Sequence, residues 1–348
     1  MNRRVLSMLV VLVAAVFASP TSRAQSEPPP DAGDESSILR NVRQLTNPEM
    51  GLEKAGEAYF SPDGKSVIFQ AVPTGQEQYQ IYTVPFEGGT PRLVSTGKGA
   101  CTCAYFRPDG RKIVFASSHE DPRLTDPSIE IPTPGYKREG SRYSWDFNPF
   151  MDIYETDLDG GGLVNLTKSD GYDAEGAYSI DGKRIAFASN RDGHMNLYVM
   201  NADGSDVRPV THTKDCYNGG PFLSPDGKRI VFRADRQKRD YLQIYVVDVD
   251  GSNEVQLTDN EHVNWAPFWH PNGKAILFTT SMQGHQNYEV YLMSVDTRAL
   301  HRVTDSPRFD GLAVFSPDGR RMMWTSQRGP DQSSQVFVAD FVLPVGFD

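Results

Sequence analysis

A four-residue turn recurs along this chain at almost constant spacing, and no other feature constrains the fold as strongly. SPDG stands at 61–64, RPDG at 107–110, SIDG at 179–182, SPDG at 224–227, HPNG at 270–273 and SPDG at 316–319, with start-to-start intervals of 46, 72, 45, 46 and 46 residues. Pro at the second position presets φ, Asp or Asn follows, and Gly accepts a positive φ, so each motif is a tight turn between two strands. Ile180 in place of Pro loses only the preset. A period of this length means a solenoid, a propeller or a linear array.

The segments between the turns fix the unit. Each turn leads into an alternating strand: KSVIFQA, RKIVFAS, KRIAFAS, KRIVFRA, KAILFTT and RRMMWTS. Val67/Phe69, Ile113/Phe115, Ile185/Phe187, Ile230/Phe232, Ile276/Phe278 and Met322/Trp324 therefore share a face. A third strand follows (QIYTV, DIYET, NLYVM, QIYVV, EVYLM, QVFVA), and then a short fourth, seen in NLT, PVT, QLT and RVT. One such meander cannot bury both its faces, whereas six arranged radially can. The last repeat ends after its third strand, and VRQLTN (42–47), ahead of the first turn, has the fourth-strand pattern. The expectation is all-β: a six-bladed β-propeller of four-stranded antiparallel blades, closed by an N-terminal strand that completes the last blade.

The repeat consensus, SPDGKRIVF…QIYVVDVDGSNEVQLTD, resembles the WD-like repeat of the TolB propeller family over residues 39–343. The resemblance implies a six-bladed propeller and, for TolB itself, a periplasmic role in connecting the two membranes through protein contacts. TolB-type proteins also carry an α/β domain ahead of the propeller, and this chain leaves only about 15 residues for it. The repeat is similar, too, to the propellers of serine oligopeptidases, but no G-x-S-x-G elbow and no room for a hydrolase domain remain.

Residues 1–24 read as a signal peptide, with Arg3 and Arg4 before the apolar run Val5–Ala18 and small residues at Ser22 and Ala24. Residues 25–38 read as a disordered acidic and Pro-rich tether, and residues 39–348 as the propeller. Export to the periplasm or beyond is expected, with no membrane span after cleavage, and a monomer. The formal charge of -10 becomes about -13 once Arg3, Arg4 and Arg23 are removed, which argues against nucleic acid as a partner. Cys101, Cys103 and Cys216 are too few for a disulfide scaffold. Alternation would point Cys101 and Cys103 the same way, as small buried residues or as a metal pair.

Three groups of residues are candidates for function. Asp173, Asn218, Asn264 and Asp310 each stand six residues before a turn motif, in the blade-to-blade crossings. They could form a mouth of oxygen groups for a polar ligand or a hard cation such as calcium, or they could cap the crossings' own backbone. His194, His212, His262 and His285 fall, with His119, on the same face. Metal-dependent oligogalacturonate lyases look like propellers with related repeats and hold a metal with histidines, which makes a metal-dependent lyase or hydrolase on carbohydrate or peptide the alternative to a binding role. No organic cofactor is expected.

The third group interrupts the period. About 26 extra residues, at about 119–150, separate the second and third strands of blade two and carry Tyr136, Arg142, Tyr143, Trp145, Phe147 and Phe150. Aromatics among arginines are the composition of a contact surface, and a long loop also needs aromatics to anchor itself. The leading expectation is a protein-binding scaffold of the cell envelope rather than an enzyme.

Overall fold

Each turn motif closes as its residues dictate. In the first, the Ser61 N–H donates to the Ser66 carbonyl at 2.8 Å and Gly64 takes φ 68°. The Asp63 carboxylate accepts from the Ser61 hydroxyl at 2.7 Å and from the Lys65 N–H at 3.1 Å. Asp109, Asp181, Asp226, Asn272 and Asp318 accept from the matching N–H at 2.9–3.1 Å. Ile180 keeps the turn and is left 67% exposed.

The computed structural model describes residues 34–129 and 147–348, and the strands joined by these turns form six four-stranded antiparallel sheets. Blade three is typical: Asp173–Tyr178, Arg184–Ser189, Asn196–Asn201 and Arg208–Pro209 pair in sequence order. Second and third strands meet in every blade through a cross-strand aromatic pair: Phe69/Tyr82, Phe115/Tyr154, Phe187/Tyr198, Phe232/Tyr245, Phe278/Tyr291 and Trp324/Phe337, with ring centroids 5.6–6.3 Å apart. Eight of these rings are among the largest fully buried side chains of the protein.

A second sixfold contact explains why the fourth strand ends in Ser or Thr. The hydroxyls of Ser95, Thr167, Thr211, Thr258, Thr304 and Thr46 each accept from the second N–H of a third strand, at 2.8–3.0 Å. Thr46 belongs to this set although it precedes blade one. It receives the Val336 N–H of blade six at 2.9 Å and donates to Gln335 Oε1 at 2.8 Å. The strand Leu39–Gln44 pairs antiparallel with Gln335–Phe341, so the N-terminal strand completes the last blade as expected. It begins earlier than the read segment 42–47. Ahead of it, Glu35–Ile38 form one helical turn with Ile38 buried, and Arg328 Nη1 donates to Glu35 Oε1 at 2.6 Å. The last residues of the segment read as a tether are therefore packed on the ring, because Ile38 and Leu39 extend its core.

The first, innermost strands all break their pairing at one place. The register slips at Gly56/Ala58, Thr102/Tyr105, Ala174/Ala177, Gly219/Phe222, Trp265/Phe268 and Gly311/Val314. The bulged residues, each four before its turn motif, are Glu57, Cys103, Glu175, Gly220, Ala266 and Leu312, at φ 44–59°. A bulge bends a strand and re-aims its side chains.

Replacing Thr46 by Val keeps the shape but takes away the acceptor of the buried Val336 N–H and the donor to Gln335 Oε1. The expected cost is about 1–3 kcal/mol in denaturant unfolding, with amide exchange accelerated first along Gln335–Phe341. Unchanged stability would show that this contact does not hold the ring shut.

Candidate functional site

The bulges give the central channel two layers. Two residues before each turn motif stand Tyr59, Tyr105, Ala177, Phe222, Phe268 and Val314. The four aromatic rings pack together, with centroids 5.0 Å apart for Tyr59/Tyr105, 4.9 Å for Phe222/Phe268 and 5.9 Å for Tyr59/Phe222. Tyr59 and Phe222 come from blades one and four, on opposite sides of the ring, so these contacts cross the axis and plug it. First strands run from the crossings to the turns, which places the plug toward the turn face. The bulge layer lies above it, toward the crossings and the insertion.

All six bulged residues line a small cavity of about 40 Å³, open at one end, whose walls also contain Arg233 and the four aromatics of the plug. Positive φ at non-Gly residues is costly and persists where neighbours hold it. Here side chains of adjacent blades take four of the six freed N–H groups. Thr325 Oγ1 accepts from Glu57, Gln70 Oε1 from Cys103 and Thr279 Oγ1 from Leu312, at 3.0–3.1 Å. Gln70, Thr279 and Thr325 share one repeat position, nine residues after the turn motif starts; blades two and three have Ala116 and Ala188 there, and blade four has Arg233. An alanine cannot accept, and Glu175 Oε2 takes the Gly220 N–H instead, at 2.7 Å.

Arg233 is paired with Glu175, and its Nη2 also donates to the Tyr217 hydroxyl at 2.9 Å. That hydroxyl donates to Glu175 Oε2 at 3.1 Å. Gly219 and Gly220 make room for the cluster: a Cβ on Gly219 would lie 2.1 Å from the Tyr217 hydroxyl, and one on Gly220 1.9 Å from Arg233 Nη1. Burial works against the Arg233 charge, but Glu175 more than offsets it and holds the guanidinium protonated.

Glu57 has no such partner. No ion pair to it occurs among the described residues, and its only direct hydroxyl neighbour is Tyr59, at 3.5 Å. Water reaches part of the side chain through the open end, yet protein surrounds it. Burial, followed by the charge of Glu175, pushes its carboxyl up to about 7. Burial also raises the Cys103 thiol well above its usual range, with Glu57 and Glu175 adding to the effect. The bulge separates the two cysteines of blade two, contrary to simple alternation. Cys101 Sγ lies 3.1 Å from Ser117 Oγ between strands, while Cys103 faces the channel.

The residues expected from sequence lie elsewhere. Asp173, Asn218, Asn264 and Asp310 are each 0% exposed and line none of the channel cavity. Asp173 accepts from Arg191 at 2.9 Å, Asn218 from Arg236 at 2.8 Å and Asp310 from Arg328 at 3.2 Å. Each arginine lies over its blade's aromatic pair, 4.9–6.0 Å from the ring centroids. Burial outweighs these arginines and raises the carboxyls of Asp173 and Asp310. Blade five has Met282 at the arginine position, and Asn264 Oδ1 is buried with no partner among the described residues. These four polar groups tie crossings to blades, and two also reach the preceding blade: Asn218 Nδ2 donates to the Met195 carbonyl at 2.8 Å and Asn264 Nδ2 to Gln243 Oε1 at 3.0 Å.

The histidines are not brought together either. His194 and His285 belong to loops of blades three and five, and His212 and His262 to different crossings. Among the described residues no three His, Cys, Asp or Glu side chains are grouped to hold a metal ion. His119 lies 2.9 Å from Ser117 Oγ and 4.6 Å from the Tyr154 ring, and burial lowers its pKa.

In the insertion, Tyr136, Arg142, Tyr143 and Trp145 lie outside the described residues. Its described ends are fastened. The buried Asp121 carboxylate holds Arg123 and accepts from Asn148 Nδ2 at 2.8 Å. Phe147, read as a contact residue, is buried edge-on against Tyr172 at 5.2 Å and lies 6.3 Å from Tyr217. Phe150 is half-buried.

A family model for the TolB beta propeller domain matches residues 133–287 and 242–342, well over half of the sequence. The chain belongs to the TolB β-propeller family. An uncharacterized protein of Agrobacterium fabrum, 28% identical, aligns with 58% of this chain and 60% of its own length. The Tol-Pal system protein TolB of Francisella tularensis is 31% identical over 25% of this chain and 20% of its own length. The chain thus spans less than two thirds of either relative. Among solved structures, TolB of Acinetobacter baumannii superposes with TM-score 0.56 at 20% identity, covering 82% of this chain and 63% of that one. An oligogalacturonate lyase of Vibrio parahaemolyticus gives 0.52 at 13%, covering 88% and 94%. At these identities the likeness is one of fold, and the fold hosts both a Tol-Pal protein and a lyase. No helix among the described residues is long and apolar enough to cross a membrane.

Glu57 also makes stability depend on pH. Its carboxyl titrates near 7 in the folded protein against 4.5 as the ordinary value, so its contribution is full below about 4.5 and is lost as pH rises through 7. Glu289 behaves alike, pushed up to about 7 chiefly by burial. Glu57→Gln should raise stability at pH 8 relative to the parent by up to about 3 kcal/mol and leave it nearly unchanged at pH 4.5. Denaturant unfolding at both pH values checks this, and Glu289, with the raised carboxyls of Asp173 and Asp310, contributes to the slope that remains.

Proposed function

We propose that this TolB-family propeller is an exported protein of the cell envelope, periplasmic or secreted, that binds another protein through the face bearing the crossings and the insertion. The observation that carries this reading is the fastening of the insertion. Asp121, Asn148 and Phe147 lock its two ends to the blade and to neighbouring crossings. A long loop with a rigid base presents its intervening residues at low entropic cost. Those residues include Tyr136, Arg142, Tyr143 and Trp145, the types most often found at the energetic centre of protein interfaces. Membership of the TolB propeller family supports an envelope role in the same direction.

The test is affinity capture from envelope extract with the parent protein and with a variant carrying alanine at positions 136, 142, 143 and 145. Because the fastening residues are untouched, the variant should keep its melting temperature. It should also lose at least about tenfold in recovery of a partner protein that the parent retains. Equal recovery by both proteins, or no partner for either, would overturn the placement of the binding surface.

A further inference from the structure

We propose that the channel cavity is a binding site for a primary alkylammonium group, with the Glu57 carboxylate as counter-ion and the aromatic plug as floor. The charges in the bulge layer lead to this chemistry. Glu175 and Arg233 neutralise each other and are held together by the Tyr217 hydroxyl and the Gly220 N–H. Glu57 remains, a carboxylate in a protein-walled cavity without an ion-pair partner among the described residues. Ionised, it leaves the layer one negative charge in excess, and a monovalent cation restores the balance.

The walls narrow the choice. Beneath Glu57 lie the rings of Tyr59, Tyr105, Phe222 and Phe268, whose faces attract cations. Leu312, Ala266 and Ala313 add apolar surface that suits a short alkyl chain. An anion would find the Arg233 guanidinium, the only one lining the cavity among the described residues, already occupied by Glu175. A hard metal ion prefers six or more oxygen ligands, and beyond Glu57 the layer offers the Cys103 thiol and a committed Glu175. An ammonium head needs one carboxylate and an aromatic wall, both of which are present.

The groups facing Glu57 set its pH dependence: Tyr59 from its own strand, Cys103 and Tyr105 from blade two, Glu175 from blade three and Arg233 from blade four. Blades five and six contribute Ala266, Phe268, Leu312 and the Thr325 hydroxyl, none of which titrates. Tyr105 is pushed up to about 12 and Cys103 upward by burial, so Glu57 is the group that changes charge near neutrality.

The experiment is calorimetric titration of the full chain with n-butylammonium chloride, using n-butanol as the uncharged control. Affinity for butylammonium should rise about tenfold between pH 6 and pH 8, as the ionised fraction of a carboxyl near 7 rises by that factor, while the amine stays charged throughout. Glu57→Gln should abolish binding at both pH values, and butanol should not bind. In carbon-13 spectra the Glu57 carboxyl should titrate near 7 alone and at least one unit lower with saturating butylammonium. That measurement needs no variant. Butylammonium and butanol binding alike, equal binding by the Gln variant, or an unmoved Glu57 titration would each overturn the assignment. A partner's lysine carries the same head as a free amine. Displacement of a captured partner by butylammonium would place the head on the partner, and simultaneous binding would make the ligand a free amine.

Discussion

The structure depends on one closing interaction, the seating of the N-terminal strand on blade six. A four-stranded blade hides one face on the blade before it and the other on the blade after it, so none of the six is stable with a neighbour missing. The contact that completes the ring repeats the one found inside every other blade: a fourth-strand hydroxyl accepting from a third-strand N–H. Thr46 does for Val336 what Thr211 does for Leu197, although 290 residues separate the former pair and 14 the latter. Closure therefore uses no special chemistry. The large loop entropy of bringing the chain ends together is met by the core packing around Ile38 and Leu39 and by the Glu35–Arg328 pair.

With the ring shut, the innermost strands have to fit around a narrow axis, and the bulges do this. At φ 44–59° the five bulged residues other than Gly220 turn their side chains inward, and in four of the six blades a side chain of the neighbouring blade takes the freed N–H. This strain is distributed evenly, one such bulge at the same inner-strand position of every blade, and the partners are not. Threonine or glutamine accepts in three blades, whereas Arg233 occupies that position in blade four and draws Glu175 across to it. Electrostatic asymmetry in the channel thus originates from a departure at a repeat position whose ordinary occupant is a backbone cap.

Blade count, strand order, closure and turn geometry were legible in the sequence because each is enforced by a local pattern repeated six times. The Asp and Asn of the crossings were equally visible, and both readings of them were open. Asp173 pairs with Arg191, Asn218 with Arg236 and Asp310 with Arg328, each arginine lying 18 residues further on and covering an aromatic pair, an arrangement that neither reading included. The channel residues were not singled out, for a physical reason. Alternation assigns faces by counting in twos, and a bulge adds one residue to the count, so the side chains of Glu57, Cys103 and Glu175 go where counting does not send them. Setting the six repeats in register would have revealed the signal. Two acids stand in one inner-strand column, and Arg233 is the single arginine among the six residues of its own column, beside Gln70, Ala116, Ala188, Thr279 and Thr325.

Repetition itself separates structural from functional positions in this ring. A contact present in all six blades, such as the turn carboxylate or the fourth-strand hydroxyl, answers a need that all six blades share. A ligand on the axis meets six walls at once and is recognised only by what makes them differ. Three kinds of difference are present: the charges at Glu57, Glu175 and Arg233, the aromatic rings in four of six plug positions, and the insertion in blade two. They converge, since Phe147 packs near Tyr217, and the Tyr217 hydroxyl bonds both Glu175 and Arg233. The insertion's anchor and the channel's charged layer are therefore separated by a single tyrosine side chain, so an event on the outer loop has a direct physical route to the axis.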